Sequence, residues 1–252
     1  MKLFCGAGRS ARHLIVPGIA VLLAQLGGCA VDRTALEGVW KQDPRQAALM
    51  PVDAAEVPFT AEGRAAYERN KAAAEKGDYS FDPTETRCSS PGIPRLMLTP
   101  NLINVYQRPH VVAMIFEWNR LFREIITDDA PRLKNPMQEG MATGGGDVGT
   151  NKGTTTGHWE GNTLVARTTK FSEQKLLDAF IPNSEDLQIT ERIRLKNTHT
   201  LEDQITIEDP QFFTRPWSAV LTYARQPASL YPFHEDVCLD RKKAGELPLP
   251  RS

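Results

Sequence analysis

Four things are scarce in this chain of 252 residues. Net charge is almost nil: 30 Lys and Arg stand against 31 Asp and Glu, a formal −1. A nucleic-acid-binding face needs a basic excess, so that class is excluded and no nucleic-acid partner is expected. Long apolar runs are missing. The single run, 14–26, falls short of the ~20 residues that cross a bilayer. Catalytic and metal signatures are missing too. There is no G-x-S-x-G elbow, which argues against the usual α/β-hydrolase arrangement. No two histidines share a ligand spacing such as H-x-x-x-H, so neither a metal nor a cofactor is expected. Cysteine, finally, numbers four. What is present, 40% hydrophobic and 24% charged residues, is an ordinary globular composition. It excludes collagen, a coiled coil, wholesale disorder and a multi-span membrane protein.

The N-terminus has the layout of an export signal. Lys2, Arg9 and Arg12 make a basic start, the apolar run follows, and it closes on Leu26-Gly27-Gly28-Cys29. That tetrapeptide resembles the bacterial lipobox, in which cleavage precedes a cysteine that then carries lipid; the alternative is a plain signal peptide cut nearby. The resemblance implies a signal peptide over 1–28, a lipidated Cys29 and a tether over 29–35. Several acyl chains hold a protein at a membrane where one is marginal. Ala30 after the cysteine leans toward an outer-membrane lipoprotein facing the periplasm or the cell surface. Cleavage removes three basic residues and no acidic one, so 30 against 31 becomes 27 against 31, net −4, over 224 residues. Chains of that size bury roughly 70–75% of their unfolded surface and hold a real core. One domain is expected over 36–240, with a flexible tail over 241–252. Cys5 leaves with the signal and Cys29 is taken, so Cys88 and Cys238 remain. In an oxidising compartment two thiols pair, and a Cys88–Cys238 disulfide is expected.

Patterning within the domain is mostly β. Leu36-Glu37-Gly38-Val39-Trp40 reads as a short opening strand. Thr60 caps an Ala-, Glu- and Lys-rich surface helix over 61–76, with Gly77 as its stop and Tyr67 as its large apolar anchor. Segments 102–106, 111–118, 121–127, 157–160, 163–169, 187–196, 201–208 and 217–225 are β-branched or aromatic runs separated by turn signals. Gly161-Asn162 suits a tight hairpin because both residues tolerate positive φ. Consecutive strands with short links pair antiparallel. Eight or more of them predict a closed barrel, the alternative being a sandwich. The connection 128–156 shows no clear strand and reads as a mobile loop or a lid. Its Gly144-Gly145-Gly146-Asp147-Val148-Gly149 matches G-x-G-x-x-G in letters only, because no apolar strand precedes it and no helix pattern follows.

Several of these stretches resemble a family of secreted bacterial proteins of unknown function. The shared pieces are Leu36-x-Gly38-x-Trp40, Phe116-Glu117-Trp118 with Arg123, and Gly157-His158-Trp159-Glu160-Gly161-Asn162-Thr163-Leu164-Val165. Glu191-Arg192, Ile207-Glu208-Asp209-Pro210 and Pro216-Trp217 fit the same pattern. The resemblance spans most of the mature chain and implies no particular activity. It departs at Gly153-Thr154-Thr155, where the family pattern has Gly-His-Ser, at Asn162 for an aspartate and at Lys170 for a glycine. The Gly38-x-Trp40 start is also similar to that of lipocalins and related calycins, which implies an up-and-down barrel holding an apolar ligand.

Strand parity points to where a site would lie. Leu187, Ile189, Ile193 and Leu195 share one face, and Glu191 interrupts it. Asp203 sits among Leu201, Ile205 and Ile207. Arg123 lies with Leu121 and Ile125, and Arg167 with Val165. Both faces of 111–118 are apolar, so Glu117 can point either way. A two-residue turn at Asn119-Arg120 sets Glu117 opposite Phe122; a three-residue turn sets it opposite Arg123. Inward charges of this kind either pair structurally or form a polar floor in an apolar pocket. The candidate catalytic residues are Glu117, Glu191, Arg123 and His158, and the candidate ligand-binding residues are Tyr106, Trp118, Trp159, Arg167, Asp203 and Trp217. The functional expectation is an envelope lipoprotein that binds or carries a small hydrophobic molecule. The alternative is a cofactor-independent lyase, isomerase or hydrolase acting through a buried carboxylate on a small hydrophobic or aromatic substrate.

Overall fold

The structure is a computed structural model that describes residues 36–128, 153–171 and 176–250. The leader, Cys29 and the glycine-rich stretch 140–152 lie outside the described residues.

Nine strands form a closed barrel in chain order. They are β1 (Gly38–Gln42), β2 (Ile103–Arg108), β3 (Val111–Phe116), β4 (Phe122–Thr127), β5 (Thr154–Glu160), β6 (Thr163–Thr169), β7 (Gln188–Asn197), β8 (Thr200–Glu208) and β9 (Trp217–Gln226). The expected barrel is therefore present, but it is not antiparallel throughout. Strand direction cannot alternate around a ring of odd number, so one neighbouring pair must run parallel. That pair is β4 and β5, joined in register through Ile126↔Thr156 and Thr127↔Gly157. A parallel pair needs a long crossover, and residues 129–152 link the two strands. Strand β5 also begins at Thr154, inside the stretch that the sequence suggested was without one. Gly157 stands on this seam because a Cβ there would come within 2.7 Å of Ile125 Cγ2.

The two ends of the barrel differ. One carries the tight turns β2–β3, β5–β6 and β7–β8, and the chain enters it at Leu36. There Trp40 Nε1 donates to the Leu36 carbonyl at 3.0 Å, and both residues are buried. The described excursion between β1 and β2 leaves from the other end. It includes α1 (Ala61–Glu75), α2 (Pro83–Arg87) and a 3₁₀ turn (Arg95–Leu98).

Thr60 caps α1 by accepting from Gly63 N at 3.0 Å. Tyr67 anchors the helix between Phe59 and Phe180, with ring centres 5.3 and 6.4 Å away. After β9 the chain passes a short 3₁₀ turn (Ala228–Leu230) and runs down the outside of β2 and β3. It reaches the capped end at α3 (Cys238–Lys243). Cys88 and Cys238 form a disulfide there, with Cα atoms 5.9 Å apart and 150 positions between them. Within the stretch 241–252, expected to trail as a flexible tail, residues 248–250 are buried while 242–247 are exposed. Leu249 is buried, and Trp118 Nε1 donates to the Pro248 carbonyl at 2.8 Å.

Alternate residues of each strand fill the lumen. Trp40, Phe116, Trp118, Trp217 and Tyr223 are all essentially inaccessible to solvent. Leu96 of the 3₁₀ turn is buried in the same core, and Tyr223 Oη donates to the Met97 carbonyl at 3.1 Å. The turn is thus a plug that reaches into the barrel from the capped end.

Candidate functional site

The inward faces of β4, β7, β8 and β9 each place one polar side chain in this apolar filling. Arg123 comes from β4, Glu191 from β7, Asp203 from β8 and Tyr223 from β9, and all four are buried. Cross-strand register explains why they meet. Glu191 faces Ile205 and Asp203 faces Ile193, so the two carboxyls sit diagonally on neighbouring strands. Arg123 reaches across to them. Its Nη1 donates to Glu191 Oε1 at 2.8 Å, its Nη2 donates to Glu191 Oε2, and Nη2 also reaches Thr168 Oγ1 at 3.4 Å. A two-toothed pairing of this kind is the strong form of the guanidinium–carboxylate contact.

Asp203 is left over. Among the described residues no N–H or O–H donates to either of its oxygens. Burial, then the neighbouring Glu191 charge, raises its pKa well above the carboxylate range, against the opposing pull of Arg123. One cation and two carboxyls are electrically neutral only if one carboxyl holds a proton. The raised pKa puts that proton on Asp203. Burial and the two carboxyls likewise push the Tyr223 phenol well above its ordinary value. Both Asp203 oxygens, Arg123 Nε and Trp217 Nε1 have no partner among the described residues. A buried polar atom left unsatisfied costs about 1–3 kcal/mol. The lumen therefore contains polar capacity that its own side chains do not use.

The other expected site residues lie elsewhere. Glu117 stands at the rim, in the β3–β4 turn. Its Oε2 accepts from Leu102 N at 2.8 Å, so it ties a loop and does not meet Arg123. Neither proposed hairpin register holds: the turn takes in residues 117–121, Phe122 faces Ile115 and Arg123 faces Met114. Asn119 and Arg120 both adopt positive φ, which allows this wider turn.

His158 points outward, half-exposed, 3.2 Å from Glu160, which also accepts from Arg192 at 2.8 Å. Arg167 is exposed too and pairs with Gln188, because Leu164, Ala166 and Thr168 take the inward positions of β6. Val165, its partner in parity, is covered from outside. Tyr106 is on the outer wall, edge-on to Tyr231 with ring centres 5.9 Å apart. Burial and the hydrogen bond with Tyr231 push its phenol up to about 12. Trp159 is half-buried against the core, while Trp118 and Trp217 are fully inside.

A second buried charged group was not visible in the sequence. In the cap, Arg95 donates to both oxygens of Asp82 at 2.9 and 2.6 Å, with Glu85 at 3.9 Å. Asp82 also caps α2 by accepting from Thr84 N at 3.0 Å. The only sequence signal was Asp82 directly before Pro83, the start of a short helix.

No family model matches the chain, and no curated protein sequence does. Among solved structures, the chain matches the crystal structure of a point mutant of the fluorescent protein UnaG. The two are 11% identical with a TM-score of 0.32, and the match covers 77% of this chain and 97% of that one. A likeness that loose bears no weight. The barrel stands on its own strand pairing.

Proposed function

We propose that this chain is a lipid-anchored protein of the bacterial envelope whose barrel binds a small, mainly apolar molecule in the lumen. The observation that carries the reading is the Arg123–Glu191–Asp203 cluster, a buried polar group in an apolar lumen with hydrogen-bonding atoms to spare. Ligand sites have that composition: mostly apolar walls and a few convergent polar groups. In the lumen as it stands the aromatic side chains and the 3₁₀ plug fill the space, so a ligand takes the place of part of that filling. The lipobox-like Leu26-Gly27-Gly28-Cys29 supports the anchor and the envelope location, as does the resemblance to secreted proteins.

Native mass spectrometry of protein extracted from its own membranes tests both halves. The reading expects an N-terminus that begins at acylated Cys29 and a bound small molecule at one per chain. An unacylated N-terminus would overturn the anchor. A bare protein mass, unchanged by incubation with an envelope lipid extract, would overturn the binding.

One observation favours a second reading. A carboxyl held protonated beside a carboxylate is a general acid with its base. An enzyme built on this barrel would therefore use Asp203 and Glu191 rather than Glu117 or His158. With any substrate found, Asp203→Asn should then abolish turnover while leaving binding intact; unchanged turnover rejects it.

A further inference from the structure

We infer that the lumen is reached from its capped end, beneath the C-terminal segment 236–250, which lies across that end as a strap latched by the Cys88–Cys238 disulfide. The inference rests on the reading of the lumen as a binding site and concerns how that site is opened.

At the opposite end the described strands meet in the tight turns β2–β3, β5–β6 and β7–β8, and Leu36 and Trp40 are buried there, Trp40 Nε1 donating to the Leu36 carbonyl. At the capped end a continuous line of contacts leads outward. Tyr223 in the lumen holds the Met97 carbonyl of the 3₁₀ plug. The next residue, Leu98, lines a cavity of about 20 Å³. Leu249 and Pro250 of the strap form its far wall, with Ala47, Ala179 and Asp178 beside them. A space of that size holds about one water molecule. It lies between the plug and the strap, with Arg45 and Arg95 also lining it, and lifting the strap would extend it toward the lumen.

The strap is held at its two ends and exposed between them, over 242–247. Within it only Cys238 and Leu249 belong to the core cluster, while Leu239 and Leu247 face solvent. Asp236 pins its start: its N–H donates to the Glu117 carbonyl and its carbonyl accepts from Asn119 N, both 2.9 Å, while its Oδ2 accepts from Asn101 Nδ2 at 2.9 Å. Beyond it, Trp118 Nε1 donates to the Pro248 carbonyl and Cys238 N to Asn119 Oδ1, both 2.8 Å. Lys242 adds a contact to the Thr86 carbonyl at 2.6 Å. Helix α3 has six residues, far fewer than the ~12–15 at which an isolated helix becomes even marginal in water. Beside these hydrogen bonds, the disulfide at Cys238 is the covalent constraint that keeps this segment across the opening.

The test measures the association rate of a neutral apolar fluorophore, N-phenyl-1-naphthylamine, with the full chain, oxidised and then reduced by a phosphine. Circular dichroism follows the barrel in both states. The strap account expects reduction to speed association roughly tenfold or more with the strand signal unchanged, because binding that waits on a conformational change is slowed. Leu249→Asp, with the disulfide intact, should loosen the strap and give the same acceleration, and it decides the matter if reduction unfolds the barrel. Equal rates in the oxidised, reduced and Leu249→Asp chains, with the probe still bound, overturn the strap and leave the lumen reading standing. Failure to bind in every form overturns both.

Discussion

Removing the Arg123 guanidinium would leave Glu191 as a lone carboxylate in an apolar lumen. Breaking a buried pair from one side costs about 3–5 kcal/mol, whereas replacing both partners with apolar groups of similar volume can be neutral or better. Arg123→Met should therefore destabilise the barrel by about that amount in urea unfolding, and Arg123→Met with Glu191→Leu should recover most of the loss. Asp203 gives a pH signature with a definite sign. Its native pKa is raised above the value of 3.8 that the unfolded chain resembles. Its contribution to stability is thus fully present below about pH 4 and is lost as the pH rises toward the native pKa. Asp203→Asn removes that titration. Relative to wild type it should gain about 1.4 kcal/mol for each pH unit across the window, and a flat difference between the two unfolding curves from pH 4 upward would contradict the assignment. These residues were half legible in advance. Parity alone marked Glu191, Asp203 and Arg123 as inward. It missed on Arg167, because β6 carries apolar Val165 on its outer face, and it left Glu117 open, because both faces of that strand are apolar and the strand ends at Phe116 before reaching it.

At the scale of elements, the weak point of the ring is the β4–β5 seam, where only Ile126↔Thr156 and Thr127↔Gly157 are in register. Gly157→Ala would push a methyl to 2.7 Å from Ile125. Overpacking of this kind costs about 1–3 kcal/mol, so the melting temperature should fall while Gly161→Ala, with open space around its Cβ position but positive φ, reports turn strain alone. The disulfide acts on a different element. Closing a loop of 150 positions contributes up to about 5 kcal/mol in the chain-entropy account, and Cys88→Ala with Cys238→Ala should lower stability toward that limit. Strand identities were legible because β-branched alternation and Gly or Asn turns are local signals. The cap was not. Residues 78–98 carry no periodicity, and their order comes from Arg95 meeting Asp82 across thirteen positions.

For the molecule as a whole, an odd-stranded closed barrel leaves no sheet edge but must contain one parallel seam, a constraint no local pattern announces. The proposed function makes of the closed barrel, its plugged end and its buried polar cluster a container rather than a bare scaffold. That claim is open to one direct measurement. Six of the isoleucines report on the two faces of the wall: Ile125, Ile189, Ile193 and Ile205 are buried beside the cluster, while Ile115 and Ile126 face outward. Methyl NMR of the isoleucine-labelled chain, recorded before and after addition of an envelope lipid extract, reads both sets at once. A ligand in the lumen shifts the inner four and leaves Ile115 and Ile126 in place. Shifts confined to the outer pair, or none at all, would contradict the container.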